Sequence, residues 1–121
     1  MSLNPSDYAE LNAACGEMDK VCDEMERSKT AFGLARAVVE FSSDQRKAAL
    51  SAAMMPFLAA GESAVSAETH ARADKKYSAT MKKLKADYAH AEEVVAQYYA
   101  LKARWETARS RASAEKAMAT L

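Results

Sequence analysis

Two stretches decide the fold: Leu11–Val39, LNAACGEMDKVCDEMERSKTAFGLARAVV, and Tyr77–Trp105, YSATMKKLKADYAHAEEVVAQYYALKARW. In the first, Leu11, Met18, Met25, Phe32 and Val39 recur every seven residues; in the second, Tyr77, Leu84, Ala91, Tyr98 and Trp105 do the same. A companion line four residues on runs through Cys15 and Cys22 in the first stretch and through Met81, Tyr88 and Val95 in the second. Apolar residues in that rhythm form the seam of a coiled coil, so the pattern predicts two long helices facing each other. The companion line turns polar at Lys29 and Arg36, and again at Lys102, Arg109 and Lys116. A narrow seam buries a stripe rather than a pocket, which favours a protein that presents surfaces and assembles over one that encloses a substrate.

Punctuation sets the ends of the helices. Asn4 before Pro5, with Asp7 close behind, makes a helix start: a capping oxygen, a proline at the first helical position and an acid near the positive end. The first helix is expected over residues 5–55. Ser42-Ser43-Asp44 marks a possible kink or re-start, and Pro56, which lacks an N–H, is expected to bend or end the helix. Gly61-Glu62-Ser63 reads as a C-cap followed by a new N-cap, opening a short helix over 64–73. Asp74 then caps a last helix over 75–120, which contains no glycine or proline.

The expectation is therefore an all-α chain of one domain, residues 1–121: a long antiparallel, coiled-coil-like helical hairpin with a short connecting helix. Folded this way, Trp105 comes near Cys15–Met25, while Tyr88 and Tyr98 lie towards Phe32 and Val39. With three glycines and two prolines, the 121 residues hold too few turn formers for an all-β fold. Half of the chain is apolar, but much of that is alanine, which favours helix and buries little area. Partner chains over the remaining apolar edge (Val38, Phe41, Val94, Tyr99, Leu101) would relieve that deficit, so a homo-oligomer is expected.

Met1-Ser2-Leu3-Asn4-Pro5 has neither a basic start nor an apolar run, and Ala48–Ala60 is too short and alanine-rich to span a bilayer. A cytoplasmic protein with no membrane partner is expected. Cys15 and Cys22, seven residues apart on one helix, are about 10 Å apart along its axis, too far for a disulfide. They read as small seam residues in a reducing compartment. His70 and His90 complete no metal-ligand spacing with them, so no metal or cofactor is expected.

Catalysis finds little footing. Glu92 and Glu93 are adjacent and so face different sides of a helix, no serine or cysteine sits beside a histidine, and Gly16, Gly33 and Gly61 are scattered. No enzyme is expected.

Zero net charge conceals an uneven distribution. Residues 1–26 hold seven acids (Asp7, Glu10, Glu17, Asp19, Asp23, Glu24, Glu26) against Lys20, while the rest of the chain has sixteen bases and ten acids. One basic cluster, Lys75, Lys76, Lys82, Lys83 and Lys85, opens the last helix; another, Lys102, Arg104, Arg109, Arg111 and Lys116, lies near its end. In a hairpin the acidic start neutralises the second cluster. The first meets Arg36, Arg46 and Lys47 instead, leaving one basic end suited to an anionic polymer. The candidate DNA-binding residues are therefore Arg36, Arg46, Lys47, Lys75, Lys76, Lys82, Lys83 and Lys85. Tyr77 and Tyr88 belong to the seam, so phosphate contact is expected to outweigh base stacking.

Three segments carry a resemblance: Ala35-Arg36-Ala37-Val38-Val39-Glu40-Phe41-Ser42-Ser43-Asp44-Gln45-Arg46-Lys47, then Asp74-Lys75-Lys76-Tyr77, then Ala103-Arg104-Trp105-Glu106-Thr107-Ala108-Arg109-Ser110. Together they resemble small all-helical phage-type proteins similar in layout to the UvsY-type recombination mediators. The resemblance covers about residues 27–118. It implies a ring-forming accessory that binds single-stranded DNA and helps a recombinase or annealing protein displace single-strand-binding protein. Arg36, Arg46 and Lys47 stand where that family places basic residues, although the stretch before Phe41 is apolar here where the family's is richer in lysine and arginine.

A second class competes: a helical protein–protein adaptor, chaperone or phage structural accessory with no nucleic-acid role. Small secreted WXG-type hairpins are similar in size, but this chain has no Trp-x-Gly turn, and Trp105 lies well inside the last helix.

Overall fold

The structure, a computed structural model, describes residues 5–120, with side chains from Tyr8 onward. Asn4, the expected first cap, lies outside the described residues. The described residues form three helices and no strand: α1 (Pro5–Ala59), α2 (Ala64–Ala73) and α3 (Lys75–Ala119). The protein is all-α.

α1 runs four residues beyond the expected stop at Met55. Pro56 removes one donor, but the carbonyl it would have served belongs to exposed Ala52, where water can take its place. The helix then closes on Gly61, whose φ of 89° lies in the left-handed region. Its N–H donates to the Leu58 carbonyl (3.0 Å) and that of Glu62 to the Phe57 carbonyl (3.2 Å). These two bonds make a Schellman cap, which glycine forms without a Cβ penalty. Ser63 caps α2 as expected, its hydroxyl accepting from the Ser66 N–H at 3.2 Å. α1 passes unbroken through Ser42–Asp44, and Ser42 is buried.

The chain gathers into two compact units. Among the described residues, one contains α1 up to Gly33 and α3 from Val94; the other contains Leu34–Glu93. In the first unit Phe32 stacks on Tyr98 with ring centroids 4.0 Å apart, and Tyr99 meets Phe32 edge-on at 5.6 Å. Val21 is fully buried, flanked along the helix by buried Ala14. In the second unit the buried residues are mostly small: Ala35, Ala67, Ala71 and Ala91, with Tyr77 the one large side chain among them. Ala67 and Ala71, four apart on one face of α2, have no exposed area.

Burial corrects the expected register of α1. The seven-residue line through Leu11, Met18, Met25, Phe32 and Val39 is half-buried as predicted, but its companion lies three residues on, through Ala14, Val21, Ser28, Ala35 and Ser42. Cys15 and Cys22, expected in the seam, are exposed free thiols. Lys29 and Arg36 are accordingly surface residues, so the seam has no polar break there.

In α3 the first half follows the expected companion line, with Met81, Tyr88 and Val95 half-buried. The second half switches to Val94, Leu101, Ala108 and Glu115, which leaves Lys102, Arg109 and Lys116 in water. Val94 and Leu101, expected on a free edge, are thus seam residues of the chain itself. The switch inserts two successive three-residue steps, Tyr88 to Ala91 to Val94, the spacing of a stammer in a heptad pattern.

Candidate nucleic-acid interface

The basic stretch is built around Asp74, which ends α2 and begins α3. Its N–H donates to the Ala71 carbonyl (3.1 Å), and its own carbonyl accepts from the Ser78 N–H (3.0 Å). Its Oδ1 accepts from the Lys76 N–H at 3.4 Å. No further acid follows until Asp87, while Lys75, Lys76, Lys82, Lys83 and Lys85 all fall in between. A helix start carries partial positive charge, and here its first turn contains lysines and no acid. Backbone dipole and side chains therefore add, with the Asp74 carboxylate as the one local offset.

All eight predicted residues, Arg36, Arg46, Lys47, Lys75, Lys76, Lys82, Lys83 and Lys85, are exposed. None forms an ion pair among the described residues. Lys75 and Lys82 are seven residues apart on one side of α3, and Lys76 and Lys83 repeat the spacing about 100° around the helix.

Lys82 and Lys85 line an open groove together with Arg72, Tyr77, Ser78 and Met81. Arg72 belongs to α2 and was not among the sequence candidates; its place in the groove follows from how α2 packs, which spacing along α3 does not carry. It brings its own counter-charge, with Nη2 donating to Glu68 Oε1 at 3.0 Å. Tyr77 is 9% exposed and lends no ring face to a base. Phe57 is half-buried and packs against His70 at 5.3 Å. The surface is thus one of point charges on flexible stems, suited to phosphates rather than to base edges.

Hydrogen bonding to Glu92 and the charge of that carboxylate push the Tyr88 phenol's pKa up, with the positive charge of Arg46 a smaller opposing influence. Among the described residues no hydrogen bond or ion pair links Arg36, Arg46 or Lys47 to the α3 lysines.

In the second basic cluster one member, Arg104, is ion-paired among the described residues. Arg104 Nη2 donates to Glu17 Oε1 at 2.9 Å, and its Nη1 lies 3.7 Å from Glu24 Oε2. Arg109 lies over the Trp105 ring, 5.5 Å from its centroid. The acids of α1 thus occupy Arg104, as the charge pattern suggested.

The Arg104 hydrogen bond holds the Glu17 carboxyl below the usual glutamate range. A carboxyl depressed in the folded state contributes stability above its unfolded value and loses it as pH falls through the folded value. Both side chains are more than 40% exposed, so the contribution is small and screened by salt. Glu17→Gln is expected to melt slightly below the wild type at neutral pH in low salt. The gap should narrow as pH falls below the usual glutamate range of about 4, and in roughly 1 M salt. Paired melts measure it, and a gap indifferent to pH and salt contradicts the ion pair.

Among the described residues no group of three or more His, Cys, Asp and Glu side chains is placed to hold a metal ion. No single helix among them is long and apolar enough to cross a membrane. No family model matches the chain, and comparisons with curated proteins and with solved structures find no match.

Proposed function

We propose that this chain is a non-enzymatic cytoplasmic accessory protein that binds single-stranded DNA as a homo-oligomer. In this reading its helices form a long antiparallel, coiled-coil-like hairpin closed by α2. The observation that carries it is the run of five lysines opening α3 with no acid between Asp74 and Asp87. Arg104 near the end of α3 is neutralised by Glu17 and Glu24, whereas the five lysines opening α3 are exposed and unpaired among the described residues. Charge kept without a partner is available to one that arrives, and phosphate is the partner that flexible lysines serve best. Arg72 extends that surface from α2.

The preference for a single strand, and the recombinase, annealing protein or single-strand-binding protein as further partners, rest on the resemblance to UvsY-type mediators. Fluorescence anisotropy of labelled oligo-dT, with a duplex of equal length alongside at low salt, tests the reading. Saturable binding that favours the single strand is expected; equal affinity for both removes the mediator role, and no binding removes nucleic acid altogether.

The exposed apolar side chains support a second reading, a protein–protein adaptor. Leu34, Met55, Val65 and Met118 are each more than 60% exposed. An adaptor would retain a protein partner with no response to oligo-dT.

A further inference from the structure

Besides the seam that faces the rest of the chain, α1 carries a second apolar stripe. Starting at Leu34, steps of four and three residues lead to Val38 and Phe41, then to Gln45, and on through Ala48, Ala52, Met55 and Ala59. That is the same alternation as the inner seam, shifted by one residue from Ala35 and Ser42, and every member except Gln45 is apolar. All of it lies in the unit formed by Leu34–Glu93. Leu34 is 67% exposed, Phe41 51% and Met55 61%, while Val38 is half-buried. The stripe covers 25 residue steps, about 38 Å of helix at ~1.5 Å per residue.

We infer that this stripe is a self-association seam, on which the α1 of a second copy lies antiparallel. The assignment deepens the homo-oligomer of the preceding section and rests on that part of it alone, independent of any DNA. A stripe in strict heptad spacing asks for another helix rather than for a globular partner or a bilayer, because knobs-into-holes packing requires a matching periodicity.

The two halves of the stripe identify that helix as another copy of this one. The N-terminal half is bulky (Leu34, Val38, Phe41), whereas the C-terminal half is mostly alanine, with Met55 as its one large member. Reversed against itself, the bulky half of each copy meets the alanine half of the other, so large residues fill the space that small ones leave. A parallel pair instead sets Phe41 against Phe41 and Ala48 against Ala48, crowding one half and leaving the other thin. The antiparallel arrangement is two-fold symmetric with Gln45 near the axis. There the two amides can bond to each other, and a lone polar residue in an apolar seam penalises slipped registers. Asp44 is the charged neighbour of Gln45 on the free flank, and the opposite flank is the chain's own seam.

The test uses the full-length chain without nucleic acid. Sedimentation equilibrium of the wild type is expected to give at least twice the chain mass. Phe41→Glu should reduce that to the single-chain mass with circular dichroism unchanged, whereas Met118→Glu, at an exposed site off the stripe, should keep the wild-type mass. A monomeric wild type, or an unchanged mass for Phe41→Glu, overturns the seam.

Direction is read separately, in a Cys15→Ala, Cys22→Ala background. Gln45→Cys should oxidise to a covalent dimer, while Leu34→Cys should not, because antiparallel copies hold the two residues 34 on the order of 27 Å or more apart. Self-cross-linking at residue 34 overturns the antiparallel arrangement. An oligomer that assembles in this way yet ignores oligo-dT would remove the DNA reading and leave the seam standing.

Discussion

Val21→Asp is expected to unfold the part of the molecule in which α1 up to Gly33 packs on α3 from Val94. Val21 has no exposed area, and it is the largest fully buried side chain among the described residues. An aspartate there places a carboxylate among apolar neighbours with no cation to meet it. Arg104, the guanidinium that meets this stretch of α1, is already engaged by Glu17 and Glu24. An uncompensated buried charge costs about 3–5 kcal/mol, which in a domain of this size lowers Tm by roughly 10 °C or more.

Cys22→Ser, one residue along, is the contrasting case. Its side chain is exposed, so the change is expected to shift Tm by no more than about 2 °C. Thermal melts of the two variants decide the register of the seam. Had the companion line run through Cys15 and Cys22, the ranking would reverse, and a large loss for Cys22→Ser would contradict the packing described here.

The second large effect concerns binding. Lys82→Glu with Lys83→Glu replaces two positive charges by two negative ones in the middle of the unpaired lysine stretch. Both residues are exposed on α3, and glutamate is as good a helix former as lysine, so helicity and Tm should hold. Affinity for oligo-dT at low salt should fall on the order of 100-fold, from two lost phosphate contacts and two new repulsions. Lys102→Glu with Lys116→Glu makes the same change in net charge outside the proposed surface, and it should cost no more than about 3-fold. Equal losses in the two doubles would mean that overall charge alone drives binding, and the surface assigned to Lys75–Lys85 would not stand.

Much of the architecture is legible from local chemistry. Gly61, Ser63 and Asp74 each terminate or start a helix through a backbone conformation or hydrogen bond that their residue types favour, and all three do so in the structure. The line of large residues from Leu11 to Phe32 identifies the inner face of α1. Which neighbouring line accompanies it is harder to read, because alanine, cysteine and serine stand on both sides and carry little hydrophobic contrast. The deciding signal was nevertheless present: three residues on, the line stays apolar or small through Ala35 and Ser42, while four residues on it reaches Lys29 and Arg36. A seam that turns cationic twice is better read as the wrong line than as a seam with defects.

The extension of α1 to Ala59 was hidden for another reason. Proline in a helix costs a hydrogen bond, and that cost is small when the orphaned carbonyl faces water, which depends on burial rather than on sequence. Among the candidate basic residues, exposure follows from their type. The sharing of one groove by Lys82, Lys85 and Arg72 depends on how α2 packs, and spacing along a single helix carries no information about that.

The most direct test of DNA binding is the salt dependence of oligo-dT affinity for the wild-type chain, measured by anisotropy between about 50 and 200 mM NaCl. If roughly four to six phosphates are neutralised by the Lys75–Lys85 surface with Arg72, log affinity should fall against log salt with a slope of about −3 to −4. No saturable binding at the lowest salt, or binding that is flat across the range, would contradict the account.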